Sequence, residues 1–347
     1  FTGDDIAMGM KTTIFFDKEG REIVKEVYGA PRGTICYVTH YDHLGKVEAK
    51  VLPKSRNGGR CNYIRNRDLQ VSMLYDKLGR LIKQTAADGS VTTITPEGYK
   101  TTTTNSLGQT TIKIKNSQDQ LVKVIDHSGN QTTYKYDSYG NMTNVTDAAS
   151  NTSEMIYDLR GYKIEMIDPD MGHWIYEYNT FGELKYQKDA NSNITTISYD
   201  VLGRMEQRTT VEGTATWVYD PSNALGKLDN VSMTGSKGYS ETIGYDEYLR
   251  PKSSNTQYDN QSYTVNTYYN LKNGRVDRID YPGAFSIEYI YYPLGTLWKT
   301  KNFQTKELYW ELLETKPNGQ IAQEKYGNGL KQIRTINPET ARVEAIS

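Results

Sequence analysis

The chain has 347 residues, 41 of them basic and 42 acidic, for a formal net charge of −1. That balance excludes bulk attraction to nucleic acid or to an anionic membrane surface, and no apolar run is long enough for a membrane-spanning helix. Two cysteines, Cys36 and Cys61, exclude a disulfide-dense scaffold.

Taken in chain order, residues 1–74 read as divergent repeats, with Phe16-Asp17-Lys18-Glu19-Gly20-Arg21 and Tyr41-Asp42-His43-Leu44-Gly45-Lys46. Residues 75–210 hold the regular copies, from Tyr75-Asp76-Lys77-Leu78-Gly79-Arg80 through the weaker Asn105-Ser106-Leu107-Gly108 to Tyr136-Asp137-Ser138-Tyr139-Gly140-Asn141. Tyr157-Asp158-Leu159-Arg160-Gly161, Tyr178-Asn179-Thr180-Phe181-Gly182 and Tyr199-Asp200-Val201-Leu202-Gly203-Arg204 continue them at a spacing of twenty-one residues. Residues 211–347 are degenerate repeats. Tyr245-Asp246-Glu247-Tyr248-Leu249 lacks the glycine, Tyr269 to Gly274 has one residue extra, and Tyr291-Tyr292-Pro293-Leu294-Gly295 is a weaker copy. A fixed period of about 20–50 residues is the mark of a repeat architecture, in which each unit packs on its neighbours.

The motif has a mechanical meaning. A type I turn favours Asp or Asn first, Pro second and Gly fourth. Asp137 and Gly140 occupy those slots, as do Asp76 with Gly79, Asp158 with Gly161 and Asp200 with Gly203. Pro221, Pro293 and Pro317 each fall in the second slot. We expect positive φ at Gly140, Gly182 and Gly203, and aspartate caps at Asp137 and Asp200. A second turn lies halfway round each copy, beginning at Asp126, Asp147, Asp168 and Asp189. Two turns and two segments of about six residues make a hairpin per unit. The segments are rich in Thr, Val, Ile and Tyr, which suit strands. By the period of two, Tyr134, Met155, Tyr176 and Ile197 share a moderately apolar face with the motif tyrosines. Lys135, Ile156, Glu177 and Ser198 form the wetter face. Successive hairpins then pair into one long antiparallel ribbon, which must twist and curl.

These in-register Tyr-Asp-x-x-Gly copies resemble the RHS/YD-repeat family: bacterial polymorphic toxins, the B and C components of Tc toxin complexes and, more distantly, the teneurin shell. The resemblance runs from about Phe16 to Gly319 and is densest from Tyr75 to Arg204. It implies an all-β fold, a spiralling ribbon forming part of a hollow shell that encloses a C-terminal toxic polypeptide, in a secreted or cell-surface bacterial protein. The implied partners are the remainder of the shell and the toxin cargo. Many bacterial members also carry a self-cleaving site built on an Asp-Pro-x-Gly signature. Asp168-Pro169-Asp170-Met171-Gly172 has one residue too many for it, and Asp220-Pro221-Ser222-Asn223 lacks the glycine. The chain opens at Phe1 without a Met and reads as a piece of a longer protein, too short to close, so an open curved ribbon is expected.

Rival chemistry is weak. Cys36, His40, His43 and Cys61 could close a tetrahedral zinc site, but their spacing matches no finger pattern. His43 stands in a turn, and the two cysteines read as small buried residues. Carboxylates begin every turn, so none marks a catalytic pair, and no phosphate loop, nucleophile elbow or His-Glu metal helix is present. The reading is therefore a non-enzyme with no cofactor, no metal and no nucleic-acid partner. A repeat module binding a glycan or a cell-surface receptor through aromatic rings is the alternative. It would need Trp/Tyr pairs at a fixed place in each repeat, whereas Trp174, Trp217, Trp298 and Trp310 are scattered among 29 tyrosines.

Overall fold

The computed structural model describes residues 11–30, 33–56, 61, 69–235, 238–292 and 295–347. They form thirty strands, from β1 (Lys11–Phe16) to β30 (Val343–Ile346), with no helix among them. Every strand pairs antiparallel with its neighbours in sequence, so one meandering sheet contains them all. Pro293 and Leu294 of the sequence motif lie outside the described residues.

The regular stretch shows why these residues form these strands. β11 (Gln131–Tyr136) and β12 (Met142–Thr146) pair Tyr134 with Val145 and Lys135 with Asn144, after which the register slips so that Tyr136 meets Met142. The same slip precedes Tyr157, Tyr178 and Tyr199. The extra residue lies on the returning strand, at Thr143, Ile164, Lys185 and Glu206, three residues beyond the turn glycine, a bulge that adds local twist. Repeating that twist every second strand makes a flat ribbon impossible. Side chains alternate as expected: Tyr134, Met155, Tyr176 and Ile197 are half-buried, while Lys135, Ile156, Glu177 and Ser198 are exposed.

The ribbon has two edges. Turns leaving odd-numbered strands line one, which we name the YD edge because it carries Asp42, Asp76, Asp137, Asp158, Asp200 and Asp246. Turns leaving even-numbered strands, at Asp126, Asp147, Asp168 and Asp189, line the opposite edge. Asn105–Gly108 belongs to this opposite edge, because it joins β8 (Lys100–Thr104) to β9 (Thr110–Lys115). It resembles the motif locally but is not one of its copies; hairpin parity corrects that assignment.

The ribbon curls until its ends meet. Leu52, Pro53 and Leu69, on the opposite edge near the start, share a cavity of ≈ 760 Å³ with Pro317, Ile336 and Pro338 of the YD edge near the end. Asp88 is held below the usual carboxylate range first by Ser90, and a smaller part comes from the Arg342 charge on the far side of this seam. No strand pairing bridges the seam among the described residues, so the sheet stays open while the ribbon completes a turn of a spiral. At about 4.8 Å per strand, the path from the fifth strand to the twenty-eighth is about 110 Å, enough for a ring about 35 Å across.

Among the described residues, a cluster of buried apolar side chains forms at the N-terminal end. Val24, Val38 and Val51 are buried against Phe15, Ile23 and Cys61. These belong to β2 (Glu22–Ala30), β3 (Gly33–Tyr41) and β4 (Val47–Arg56), which are longer than the regular strands and cover more surface. Cys36 and Cys61 form a disulfide, with Cα atoms 5.7 Å apart. This corrects the reading of the pair as two independent small residues. Beside it lies Glu26, fully buried, which faces Cys36 in register and accepts from the Cys61 amide at 2.6 Å. The Tyr28 hydroxyl donates to the same carboxylate.

Candidate functional site: the stitched turn edge

Each motif residue has a separate mechanical duty. In the turn at Asp137, Oδ1 accepts from the amides of Tyr139 and Asn141, both at 2.9 Å, and the Gly140 amide donates to the Asp137 carbonyl. Oδ2 accepts from the Asn141 side chain at 2.8 Å. Asp200 repeats the pattern, with Arg204 in place of asparagine. Asp76 caps Leu78 and Arg80, Asp158 caps Arg160 and Tyr162, and Asn179 caps Phe181 and Glu183. Capping by both oxygens favours the ionised form. Asp137 lies below its ordinary pKa chiefly through the Asn141 side chain, and Asp76 chiefly through the Arg80 amide.

The tyrosine ties hairpin to hairpin. Tyr136 donates its hydroxyl to the Leu121 carbonyl, Tyr157 to Met142, Tyr178 to Lys163 and Tyr199 to Leu184, at 2.9–3.0 Å and always fifteen residues back. Tyr75 reaches the Val47 carbonyl, across a longer connection. The period of two places these rings on the moderately apolar face but gives the hydroxyl no role. The fixed spacing between each tyrosine and the residue after the previous turn was the signal.

Glycine is needed twice over at this edge. Gly140, Gly161, Gly182 and Gly203 have φ of +94°, +82°, +86° and +77°, and Gly79 has +75°. The side chain that follows the previous copy's turn also lies against the glycine. A Cβ at Gly182 would collide with the Tyr162 hydroxyl, and one at Gly203 would sit 2.7 Å from Glu183 Oε1. The residue at the same turn-exit position makes the lateral link elsewhere. Arg204 bonds Asp200 within its own turn and Asp220 in the next, and its guanidinium lies 4.4 Å from the Tyr219 ring centre. Arg250 stands likewise 4.2 Å over Tyr269, and Arg21 4.8 Å over Tyr41. The motif residues are thus gathered into one continuous stitched edge. Asp137 and Tyr157, from adjacent copies, border one open hollow with Thr143 and Met155.

Where the glycine is missing, the conformation persists. Leu249 holds φ +58° in its slot, and on the opposite edge Ser150 and Ser192 hold +70° and +66°. The backbone requirement belongs to the hairpin, whatever residue fills it.

The zinc candidate is resolved chemically. Cys36 and Cys61 are bonded to each other and offer no thiolate, His43 is exposed in its turn, and His40 is buried. No group of three His, Cys, Asp or Glu in metal-binding geometry occurs among the described residues.

Comparison with known proteins defines the class. The architecture is a spiral antiparallel ribbon of repeated hairpins, stitched along one edge. The RHS Repeat family model matches residues 116–152. That segment matches the repeat model, and the fold of the chain as a whole is similar to a part of Tc toxin structures. The TcdB2-TccC3-TEV crystal structure aligns with TM-score 0.83 over 97% of this chain at 15% identity. TcdB2-TccC3 without its hypervariable C-terminal region gives 0.80 over 96% at 15% identity, and the Photorhabdus luminescens Tc holotoxin pore gives 0.80 over 96% at 16%. Each alignment covers 20% of the longer chain, so this chain spans about one fifth of the structures it matches. No curated protein matches it.

Proposed function

We propose that this chain is shell wall: part of a hollow β-spiral that encloses a toxic polypeptide and keeps it from targets and proteases until delivery. The observation that carries the proposal is the curl of one ribbon through a turn of a spiral, with no second sheet packed on it among the described residues. A sheet that buries little apolar surface between layers gains little from solidity, and its concave side remains free for a guest. The tethers that hold it rigid are local: aspartate caps, tyrosine-to-carbonyl bonds and arginine links along one edge. The titratable side chains of the motif are fully engaged in these tethers, so a non-enzymatic role fits them. Net charge near zero suits a container that does not select one cargo by bulk attraction.

The glycan-binding alternative is less favoured by the rings themselves. Trp174 stacks on Tyr176, Trp298 stacks on Tyr292, and the Trp310 indole donates to Glu324 at 2.6 Å. Flat rings committed to intrachain partners make a poor sugar platform. The test is to express the parent protein with and without an intact ribbon and follow protease digestion of whatever polypeptide it carries. Equal digestion rates end the container reading.

A further inference from the structure

The buried carboxylate beside the disulfide has no part in the stitched edge. Cross-strand pairing sets Thr13, Glu26, Cys36 and Lys54 opposite one another on β1, β2, β3 and β4, so their side chains share one face. Cys36 therefore has an anion on one flank and a cation on the other. Glu26 is fully buried, and both its oxygens accept, Oε1 from the Cys61 amide and Oε2 from the Tyr28 hydroxyl. Lys54 is half-buried and also borders the seam cavity. Charges held away from water act strongly on a neighbouring sulfur that becomes charged.

The two sulfurs differ in access. Cys36 is buried at 6% exposure, whereas Cys61 is half-buried where it packs against the valine cluster. An external thiolate therefore reaches the Cys61 sulfur first, and the sulfur it expels is Cys36. Attack forms a bond between the reagent and Cys61 Sγ, breaks the Cys36–Cys61 bond and leaves the electron pair on Cys36 Sγ. With a dithiol, the second thiolate then attacks the reagent's own bonded sulfur, closes a disulfide within the reagent and releases Cys61. The reagent loses two electrons, the protein disulfide gains them, and the dithiol's two protons end on Cys36 and Cys61. In the first step negative charge arrives at Cys36, between Glu26 and Lys54. Lys54 favours that charge and Glu26 opposes it.

We propose that Cys36–Cys61 is a thiol-exchange site, opened at Cys61 by small dithiols with Cys36 as the leaving sulfur, Glu26 holding the bond closed and Lys54 easing its opening. Such a bond persists in an oxidising compartment and opens in a reducing one. The inference rests on the cross-strand row, and it stands whether or not the spiral encloses a cargo.

The experiment follows opening of the disulfide in the folded chain by dithiothreitol, with the freed thiols trapped by iodoacetamide and counted by mass spectrometry. Glu26→Gln keeps the side chain's shape and removes its charge, and Lys54→Met does the same for the cation. Far-UV circular dichroism checks that the oxidised variants keep the fold. The opening rate should rise in proportion to dithiothreitol, be about tenfold faster in Glu26→Gln and about tenfold slower in Lys54→Met. Reduced glutathione, a single thiol, should be caught on Cys61 and not on Cys36. If Glu26→Gln does not fold, Lys54→Met decides alone, because a merely loosened structure would open faster. Two variants that both open faster overturn the proposal. So do unchanged rates, glutathione caught on Cys36, or a rate that stops rising with reagent, which means that prior unfolding controls the opening.

Discussion

Arg204 Nη2 donates to Asp220 Oδ2 at 2.7 Å, joining one edge turn to the next copy along the ribbon. The same guanidinium holds Asp200 through Nε, so one planar fork serves two turns, which a lysine ammonium cannot reproduce. Arg204→Lys should lower the urea midpoint, and Arg204→Gln should lower it further. Both groups are partly exposed, so high salt should shrink the difference between the unaltered chain and Arg204→Gln. A difference independent of salt would mean the pair contributes nothing as a pair.

The hydroxyl of Tyr178 is expected to matter apart from its ring. Tyr178→Phe removes the donor to the Lys163 carbonyl but keeps the stacking on Tyr162, whose ring centre lies 4.9 Å away. The expected loss is about 1 kcal/mol in urea unfolding, the usual net worth of one hydrogen bond. Unchanged stability would return these tyrosines to a packing role alone.

Two glycines with similar backbone angles should respond differently. Gly89 has φ +79° and open space where a Cβ would go, while Gly182 has φ +86° with Tyr162 in the way. Gly89→Ala should cost about 1–2 kcal/mol for the left-handed conformation alone. Gly182→Ala should cost more, and the excess should largely vanish when Tyr162→Ala is added. A double-mutant cycle on stability measures the coupling. By the same reasoning Ser192→Gly, at φ +66°, should stabilise by up to about 1 kcal/mol.

Stability should fall at both ends of the pH scale. Hydrogen bonding from Arg204 pulls Asp220 down to about 2, and Asn side chains hold Asp126, Asp147 and Asp189 below the usual value. A depressed folded-state value means these carboxylates stabilise fully above about pH 4 and lose that contribution as pH falls toward about 2. Burial raises Tyr157, Tyr178 and Tyr199. A raised value means their contribution is intact below about pH 10 and drains as pH climbs through the folded-state values. Thermal melts across pH should show a plateau between these limits; a loss centred near pH 6.5 would point to histidine instead.

Reducing the Cys36–Cys61 disulfide should act locally. It closes a loop of 25 residues, for which chain entropy suggests about 3 kcal/mol. The valine cluster and Glu26 sit beside it, so hydrogen exchange should speed up in the second to fourth strands. The regular stretch between Gln131 and Thr210 should keep its protection, because each hairpin there packs on its immediate neighbours. Uniform loss along the chain would show that the ribbon unfolds as one unit.

The sequence by itself determined the hairpins, their period and the face each side chain takes. Turn chemistry is local: an aspartate oxygen reaches amides two and four residues on, and glycine relieves strain at its own position. These signals survive in one dimension, which is why Asp137, Gly140 and Tyr134 were legible. Only the tertiary structure decided what depends on through-space parity and closure. Asn105 has the motif's lettering but lies on the other edge, since edge membership is set by counting strands. Tyr178 reaches Lys163 because two strands are paired, and Arg204 reaches Asp220 because two turns are neighbours along the edge. Cys36 meets Cys61 because β3 and the chain beyond β4 close on the same buried carboxylate. The seam between Leu52 and Pro338 arises from small twists summed over the whole ribbon, a total that no single repeat encodes.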